Sequence, residues 1–298
     1  MFFFAILCLV VYVGGALFMT LPYWYETTNT PSHDVPHLSY TLRNVIRLWL
    51  ESILAGVCLI VANIAHPVLK RICTADETQN ASANPPLILI HGLYHNASAW
   101  VYLRPHLRKA GFSRIHTFTY SSRHATIPGI VSQLDELVTN LEARYGNEKP
   151  LLIGHSLGGL IIRAFMAEEN NTGRIAGAIS LGAPHRGSKA AALAIGSLGR
   201  TLVPSNPLFQ ELTRKENPVT VPCLALVSEG DNMILPQDNL VPATPGWSMR
   251  LTPFTTHTGL LARPSVLRMI AWELFNMVNS QPDEHKEVGE EEKTRKNI

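Results

Sequence analysis

Charge is scarce in this chain. Only 16% of its 298 residues are Asp, Glu, Lys or Arg, against about one-quarter in an ordinary soluble protein. With 46% apolar residues and a mean hydropathy just above zero, the deficit implies that part of the chain meets lipid rather than water. Net charge is scarce too: a balance of +2 provides no basic face for a phosphate backbone, which excludes nucleic acid as a partner. Cysteine is the third shortage. Cys8, Cys58, Cys73 and Cys223 have neither metal-ligand spacing nor the density of a disulfide framework, so neither a structural zinc nor a cross-linked scaffold is expected.

What is present first is an apolar run. Phe2 to Leu21 (FFFAILCLVVYVGGALFMTL) carries no charge over twenty positions, enough at about 1.5 Å per residue to cross the roughly 30 Å hydrocarbon layer. It lacks the basic flank of a secretory leader and exceeds a leader's apolar core, so it reads as a transmembrane anchor rather than a cleaved segment. Tyr23, Trp24 and Tyr25 follow at headgroup level. A second apolar stretch, 45–69, carries Arg47 and Glu51 four apart on one helical face, where they can pair. It reads as a second span closing a hairpin; the alternatives are a helix lying in the interface or one packed on the domain. Arg43 and Arg47 at one end balance Lys70 and Arg71 at the other, so loop charge does not set the orientation. After two spans, a short uncharged N-terminus favours a cytoplasmic domain; after one span the domain faces out.

The expected organisation is an anchor over 1–73, a small polar linker over 74–86, a folded domain over 87–278 and a charged tail over 279–298 that is too poor in apolar residues to bury a core. Within the domain, apolar runs at 87–92, 115–120, 150–156, 174–184, 223–231 and 247–252 alternate with periodic stretches at 99–110, 127–145, 157–169 and 264–278. This alternation predicts an α/β fold, a mostly parallel sheet with helices on both faces. In 127–145, Ile130, Leu134, Leu137, Val138 and Leu141 recur at helical spacing and mark an inner face. The rhythm breaks at 188–218, which predicts a small cap.

Gly154-His155-Ser156-Leu157-Gly158 sits between the apolar strand LLI and the helix LGGLIIRAFMAEE. Glycine on both sides of Ser156 permits a turn sharp enough to lift the hydroxyl clear of the sheet, and the following helix N-terminus favours the negative charge of a tetrahedral acyl intermediate. Ser156 is therefore the candidate nucleophile. The backbone N–H groups of Leu157 and, after His91-Gly92, of Leu93 are the candidate oxyanion donors. A base and its acid are expected downstream in the order acid, then histidine. His257, in FTTHTGLL between the last strand and the last helix, fits the base better than His185 in GAPHRG. Asp231, ending CLALVSEGD, fits the acid, with Glu229 the main rival and Asp238 another. His91 precedes the serine and reads as structural.

HGL at 91–93, GHSLGG at 154–159, GAPHRGS at 182–188, SEGDN at 228–232 and HTGLL at 257–261 together resemble the α/β-hydrolases grouped with bacterial triacylglycerol lipases and with the inositol deacylases that act on GPI anchors. The resemblance runs from about Pro86 to Val278. It implies Ser156 as nucleophile, His257 as base, Asp231 as acid, and the Leu93 and Leu157 N–H groups as oxyanion hole. The chain departs from many such lipases at Tyr94 and His95, which follow HGL where a small residue is common, so the acyl pocket is expected to differ in shape. Tyr94, Leu202, Leu208 and Phe209 are candidate substrate contacts, although the apolar cap residues equally suit plain packing on the sheet. Asp231 and Asp238 do not make an oxygen cage, and no metal or other cofactor is expected. The function read from this set is a membrane-anchored serine hydrolase of a lipid or other hydrophobic ester. Acyl transfer by the same serine, a haloperoxidase-like or C–C bond hydrolase on the same triad, and a non-catalytic scaffold on the same fold are the alternatives.

Overall fold

The computed structural model describes residues 14, 15, 18, 20–30, 32–36, 38, 39, 41–65, 84–146, 148–169 and 171–279. Most of the first apolar run, most of the 74–86 linker and the tail from 280 onward lie outside the described residues. Residues 20–29 are helical. Helix α1 (Leu42–Ile64) follows, started by Thr41, whose hydroxyl accepts the Asn44 N–H at 3.2 Å.

The domain begins at β1 (Leu87–Ile90), whose four residues are all buried. An unbroken apolar run of this kind is what a parallel strand covered on both faces requires. A helix expected over 99–110 forms instead as a 3-10 turn at Ala97–Trp100 and a separate helix α2 (Arg104–Lys109). Asn96 caps the turn by accepting the Ser98 N–H at 2.9 Å, and Pro105 in the first turn of α2 suits a new start. Strand β2 (Ile115–Phe118), helix α3 (Ile127–Arg144), strand β3 (Leu151–His155) and helix α4 (Leu157–Met166) come next. Every residue of α4 is buried. After β4 (Gly177–Leu181) the expected cap resolves into a 3-10 turn at Lys189–Leu193, helix α5 (Ser197–Arg200) and helix α6 (Pro207–Lys215). Strand β5 (Cys223–Val227), strand β6 (Trp247–Leu251) and helix α7 (Pro264–Asn279) complete the domain.

The six strands pair in parallel throughout, in the order β2-β1-β3-β4-β5-β6. Alternate residues feed two cores. Ile88, Ile90 and Leu152 pack with Leu134, Val138 and Phe165 on one face; Leu87, Leu89 and Ile153 pack with Trp100, Leu267 and Ile270 on the other. Strand order reverses at β1, whose neighbours are β2 and β3. In an open parallel sheet such a switch leaves a crevice beyond the strands' carboxyl ends, where ligands bind. The register Ile90↔Gly154 brings the residues after β1 alongside those after β3.

Helix α1 packs on this domain. Leu48, Ser52, Ala55, Gly56 and Leu59 face inward, and Leu59 joins the second core. The anticipated Arg47–Glu51 pair does not form. Glu51 accepts a hydrogen bond from the Thr255 hydroxyl at 2.9 Å and pairs with Arg263, while the Arg47 guanidinium lies 3.8 Å over the Phe254 ring. Contacts with the domain outcompete an exposed pair within one helix, which is worth only a few tenths of a kcal/mol.

One ion pair fixes α4 against the end of the cap. The buried Arg163 guanidinium pairs with Glu216 and donates to the His185 carbonyl. Removing one partner of a buried pair leaves an uncompensated charge, at a cost of roughly 3–5 kcal/mol. Glu216→Ala is therefore expected to lower unfolding stability by about 3 kcal/mol in urea titration; a loss below about 1 kcal/mol would mean that water already screens the pair.

Candidate active site

Residue Ser156 occupies the turn between β3 and α4 with φ 53° and ψ −121°, a left-handed conformation that non-glycine residues rarely adopt. The turn is that tight because α4 starts almost in contact with β1. A Cβ on Gly158 would stand 2.1 Å from the Ile90 carbonyl oxygen, and one on Gly154 would stand 2.4 Å from Gly158. Neither position admits a side chain. The Ser156 N–H is tied to the Leu181 carbonyl at 2.9 Å, and Leu157 opens α4, so its N–H has no acceptor within the helix.

Asp231 is fully buried in the loop after β5. Its Oδ1 accepts the backbone N–H groups of Met233 and Ile234 at 3.0 and 3.1 Å, which leaves Oδ2 for the His257 ring. His257 Nδ1 donates to that oxygen at 2.8 Å. Neither rival for the acid bonds to the His257 ring, whose Nδ1 is taken by Asp231. Asp238 binds the N-terminal segment through Ser32 and the His33 N–H, and the Glu229 carbonyl accepts from Tyr23 and Gln237.

Ser156 and His257 line one cavity of about 500 Å³, together with Gly92, Leu93, Tyr94 and His155; no hydrogen bond joins the serine hydroxyl to the histidine. Catalytic bonds are often loose before substrate arrives. His155, the residue before the serine, lies against the His257 ring, with centroids 4.7 Å apart and the planes tilted by 47°. Its Nε2 donates to the His257 carbonyl at 3.1 Å, which ties the serine turn to the histidine loop. Sequence reasoning passed over His155 because its position within Gly-X-Ser-X-Gly is the variable one.

The remaining candidates divide. Tyr94 and Leu202 line the cavity, and the Tyr94 hydroxyl donates to the Ile195 carbonyl, so this loop holds the cap. Leu208 and Phe209 pack with the first core and are absent from the cavity wall, because Asn206 starts α6 by accepting the Leu208 N–H and turns the helix's apolar side to the sheet. The cavity draws instead on Leu59, Ile60 and Asn63 of α1. Nothing in the α1 sequence announces this, since an apolar helix facing a cavity reads like one facing lipid. Among the described residues no group of three or more His, Cys, Asp or Glu side chains is arranged to hold a metal ion.

Other histidines are buried for structural ends. His91 stacks on Tyr120, its Nδ1 donates to the Gly92 carbonyl, and burial lowers its pKa to about 4. His185, in the turn after β4, bonds the Ser180 hydroxyl and lies beside Trp247, with its pKa lowered to about 3 by burial first and by Arg163 and Arg186 next.

A parallel sheet of this order, with a strained serine between β3 and a buried helix and an Asp–His pair on later loops, defines a class of fold. A family model for the α/β hydrolase fold matches residues 85–221. Solved structures of similar fold include the mature Bacillus licheniformis lipase BlEst2, at 16% identity and TM-score 0.53 over 67% of this chain and 93% of that one. A Paleococcus ferrophilus monoacylglycerol lipase has 17% identity and TM-score 0.51 over 65% and 96%. An Aspergillus fumigatus lipase B has 14% identity and TM-score 0.57 over 66% and 53%. No curated protein matches the sequence. The chain thus has the α/β-hydrolase fold, and lipases are among the solved structures it resembles.

The buried histidines make stability depend on pH. His91 and His185 bind protons in the unfolded chain near pH 6.5 but in the folded one only near 4 and 3. Between those values the unfolded state carries more protons, so their contribution is complete above about pH 6.5 and falls as pH drops, by about 1.4 kcal/mol per pH unit for each histidine. Urea midpoints measured from pH 7 to 5 should fall accordingly, and His185→Gln should flatten the slope. An unchanged slope in that variant would show that His185 titrates alike in both states.

Proposed function

We propose that the protein is a membrane-associated serine hydrolase that cleaves the carboxylic ester of a lipid or other hydrophobic ester. The observation that carries this reading is the fully buried Asp231, hydrogen-bonded at 2.8 Å to His257, which shares its cavity with Ser156 on a strained turn. His257 Nε2 removes the Ser156 proton as Oγ attacks the ester carbonyl, and Asp231 stabilises the imidazolium that results. The N–H groups of Leu93 and Leu157 receive the developing oxyanion at the start of α4, where the helix dipole favours negative charge. His257 then protonates the departing alcohol. Water, deprotonated by the same histidine, releases the acid from the acyl-enzyme.

Substrate class follows from the wall. Leu59, Ile60, Leu193, Leu202 and Ile234 give the cavity an apolar lining, and a space of this size suits an acyl chain better than a charged group. Membrane attachment rests on the uncharged run 2–21, with the hydrolase domain over 87–278 and its cap over 188–218 outside the bilayer.

Fluorophosphonate labelling is expected in the wild type and absent in Ser156→Ala; equal labelling of both would remove Ser156 as nucleophile. Asp231→Asn is a finer test. Asn keeps an oxygen for the Met233 and Ile234 N–H groups, so melting should barely move. Its amide must donate to His257 Nδ1, which places the ring proton on Nε2 and blocks proton removal from the serine. Turnover of p-nitrophenyl esters should fall about 10⁴-fold, and a fall below roughly tenfold would exclude Asp231 as the orienting acid.

A further inference from the structure

Helix α1 has two faces of unlike chemistry. Its inner face is held to the domain by polar contacts: Glu51 with Thr255 and Arg263, Ser52 accepting from Asn232 at 3.2 Å, and Asn63 accepting from Asn96 at 3.0 Å. Its outer face carries Leu42, Ile46, Leu50, Leu54, Val57 and Val61, all exposed. These recur every three or four residues along about 34 Å of helix, so they form one continuous apolar stripe, which exposed Ile64 ends. Soluble proteins seldom leave such a patch in water.

Three observations identify lipid as the occupant of this face. The uncharged run 2–21 leads into residues whose Tyr23 and Trp24 are buried against Leu48 of α1, so the bilayer that takes up this run lies beside α1. Arg43 is exposed at the start of the stripe, where a cation meets phosphate headgroups. The stripe also runs into the mouth of the cavity. Ile60 is exposed on α1 and lines the cavity, and Tyr94 and Leu193, which line it too, are each at least half exposed. A perpendicular, spanning α1 conflicts with these contacts, since crossing would strip Glu51, Ser52 and Asn63 of their partners and leave a carboxylate in hydrocarbon.

We propose that α1 does not cross the bilayer but lies along it, its Leu42–Ile64 stripe in the acyl layer of one leaflet, and that the Ser156 cavity is entered from this layer between Ile60 and Leu193. An ester lipid then reaches the serine without its chain passing through water. The route of entry rests on the ester-hydrolase reading above; the placement of α1 does not.

The test uses the full chain in sealed vesicles of phosphatidylcholine doped with phosphatidylglycerol. In a background of Cys8→Ser, Cys58→Ser and Cys73→Ser, the single variants Arg43→Cys and Ala65→Cys, at the two ends of α1 and outside the apolar stripe, are exposed to a membrane-impermeant maleimide. Both ends of α1 should report the same side of the membrane; opposite sides would mean a spanning helix and overturn the proposal. A diazirine phospholipid should leave adducts on the tryptic peptide 48–70. Adducts confined to peptides before Arg43 would mean that the first apolar run or a second copy covers the stripe, which also overturns it. Leu54→Glu/Val61→Glu should lower turnover of a vesicle-embedded long-chain ester by roughly tenfold or more and leave fluorophosphonate labelling and turnover of a water-soluble short-chain ester unchanged. An equal loss on both esters overturns the bilayer route. If the wild type neither labels nor turns over either ester while the maleimide and lipid results hold, the serine-hydrolase reading fails and the placement of α1 stands.

Discussion

The approach of α4 to the end of β1 is the constraint on which the candidate site depends. Backbone meets backbone there, with the α carbon of Gly158 so close to the Ile90 carbonyl that no Cβ fits between them. A helix seated this deeply leaves the chain a single residue in which to turn out of β3, and that residue is Ser156 at positive φ. The strain is maintained because α4 cannot back away. Every residue of α4 is buried, and Arg163 is clamped to Glu216 and the His185 carbonyl. Packing energy spread over the helix thus holds one unfavourable dihedral, of order 1–3 kcal/mol, at the point where the half-buried Ser156 meets the cavity.

The second half of the site is held by a different device. Asp231 is removed from water, so its carboxylate must find hydrogen bonds within the protein. Two backbone N–H groups and the His257 ring supply the hydrogen bonds that water would have given. His155 then links the two halves, since it is part of the serine turn and binds the carbonyl of the histidine itself. Geometry between loops after β3, β5 and β6 is therefore set by short polar contacts rather than by the loops' own stiffness.

Much of this was legible in the sequence. Parallel strands buried on both faces must be apolar throughout, so the runs around Leu87, Leu151 and Cys223 declare themselves, and Gly-His-Ser-Leu-Gly between strand and helix has few other uses. The order acid, then histidine, pointed to His257 and, for the acid, to Asp231 with Glu229 and Asp238 as rivals; in the structure the His257 ring bonds Asp231 at 2.8 Å. Where the reading slipped, the deciding term was tertiary. Pro105 and the Asn96 cap divided a helix that periodicity alone made continuous. Leu208 and Phe209 have the composition of an acyl pocket but the position of a core, because hydrophobicity does not say which apolar surface a side chain will meet.

The same ambiguity is sharpest in α1. Its length and composition suffice to cross a membrane, and among the described residues it is the one helix of which this is true, yet one-third of its most apolar window is buried against the protein. Hydropathy averages over the circumference of a helix and so discards the information that matters. Resolved by face, α1 turns Leu48, Leu59 and the small or polar residues Ser52, Ala55 and Gly56 inward and leaves an unbroken row of large apolar residues outward. A span through lipid has no need of that asymmetry, since hydrocarbon surrounds it on every side. A helix that packs on a domain and lines its cavity does need it.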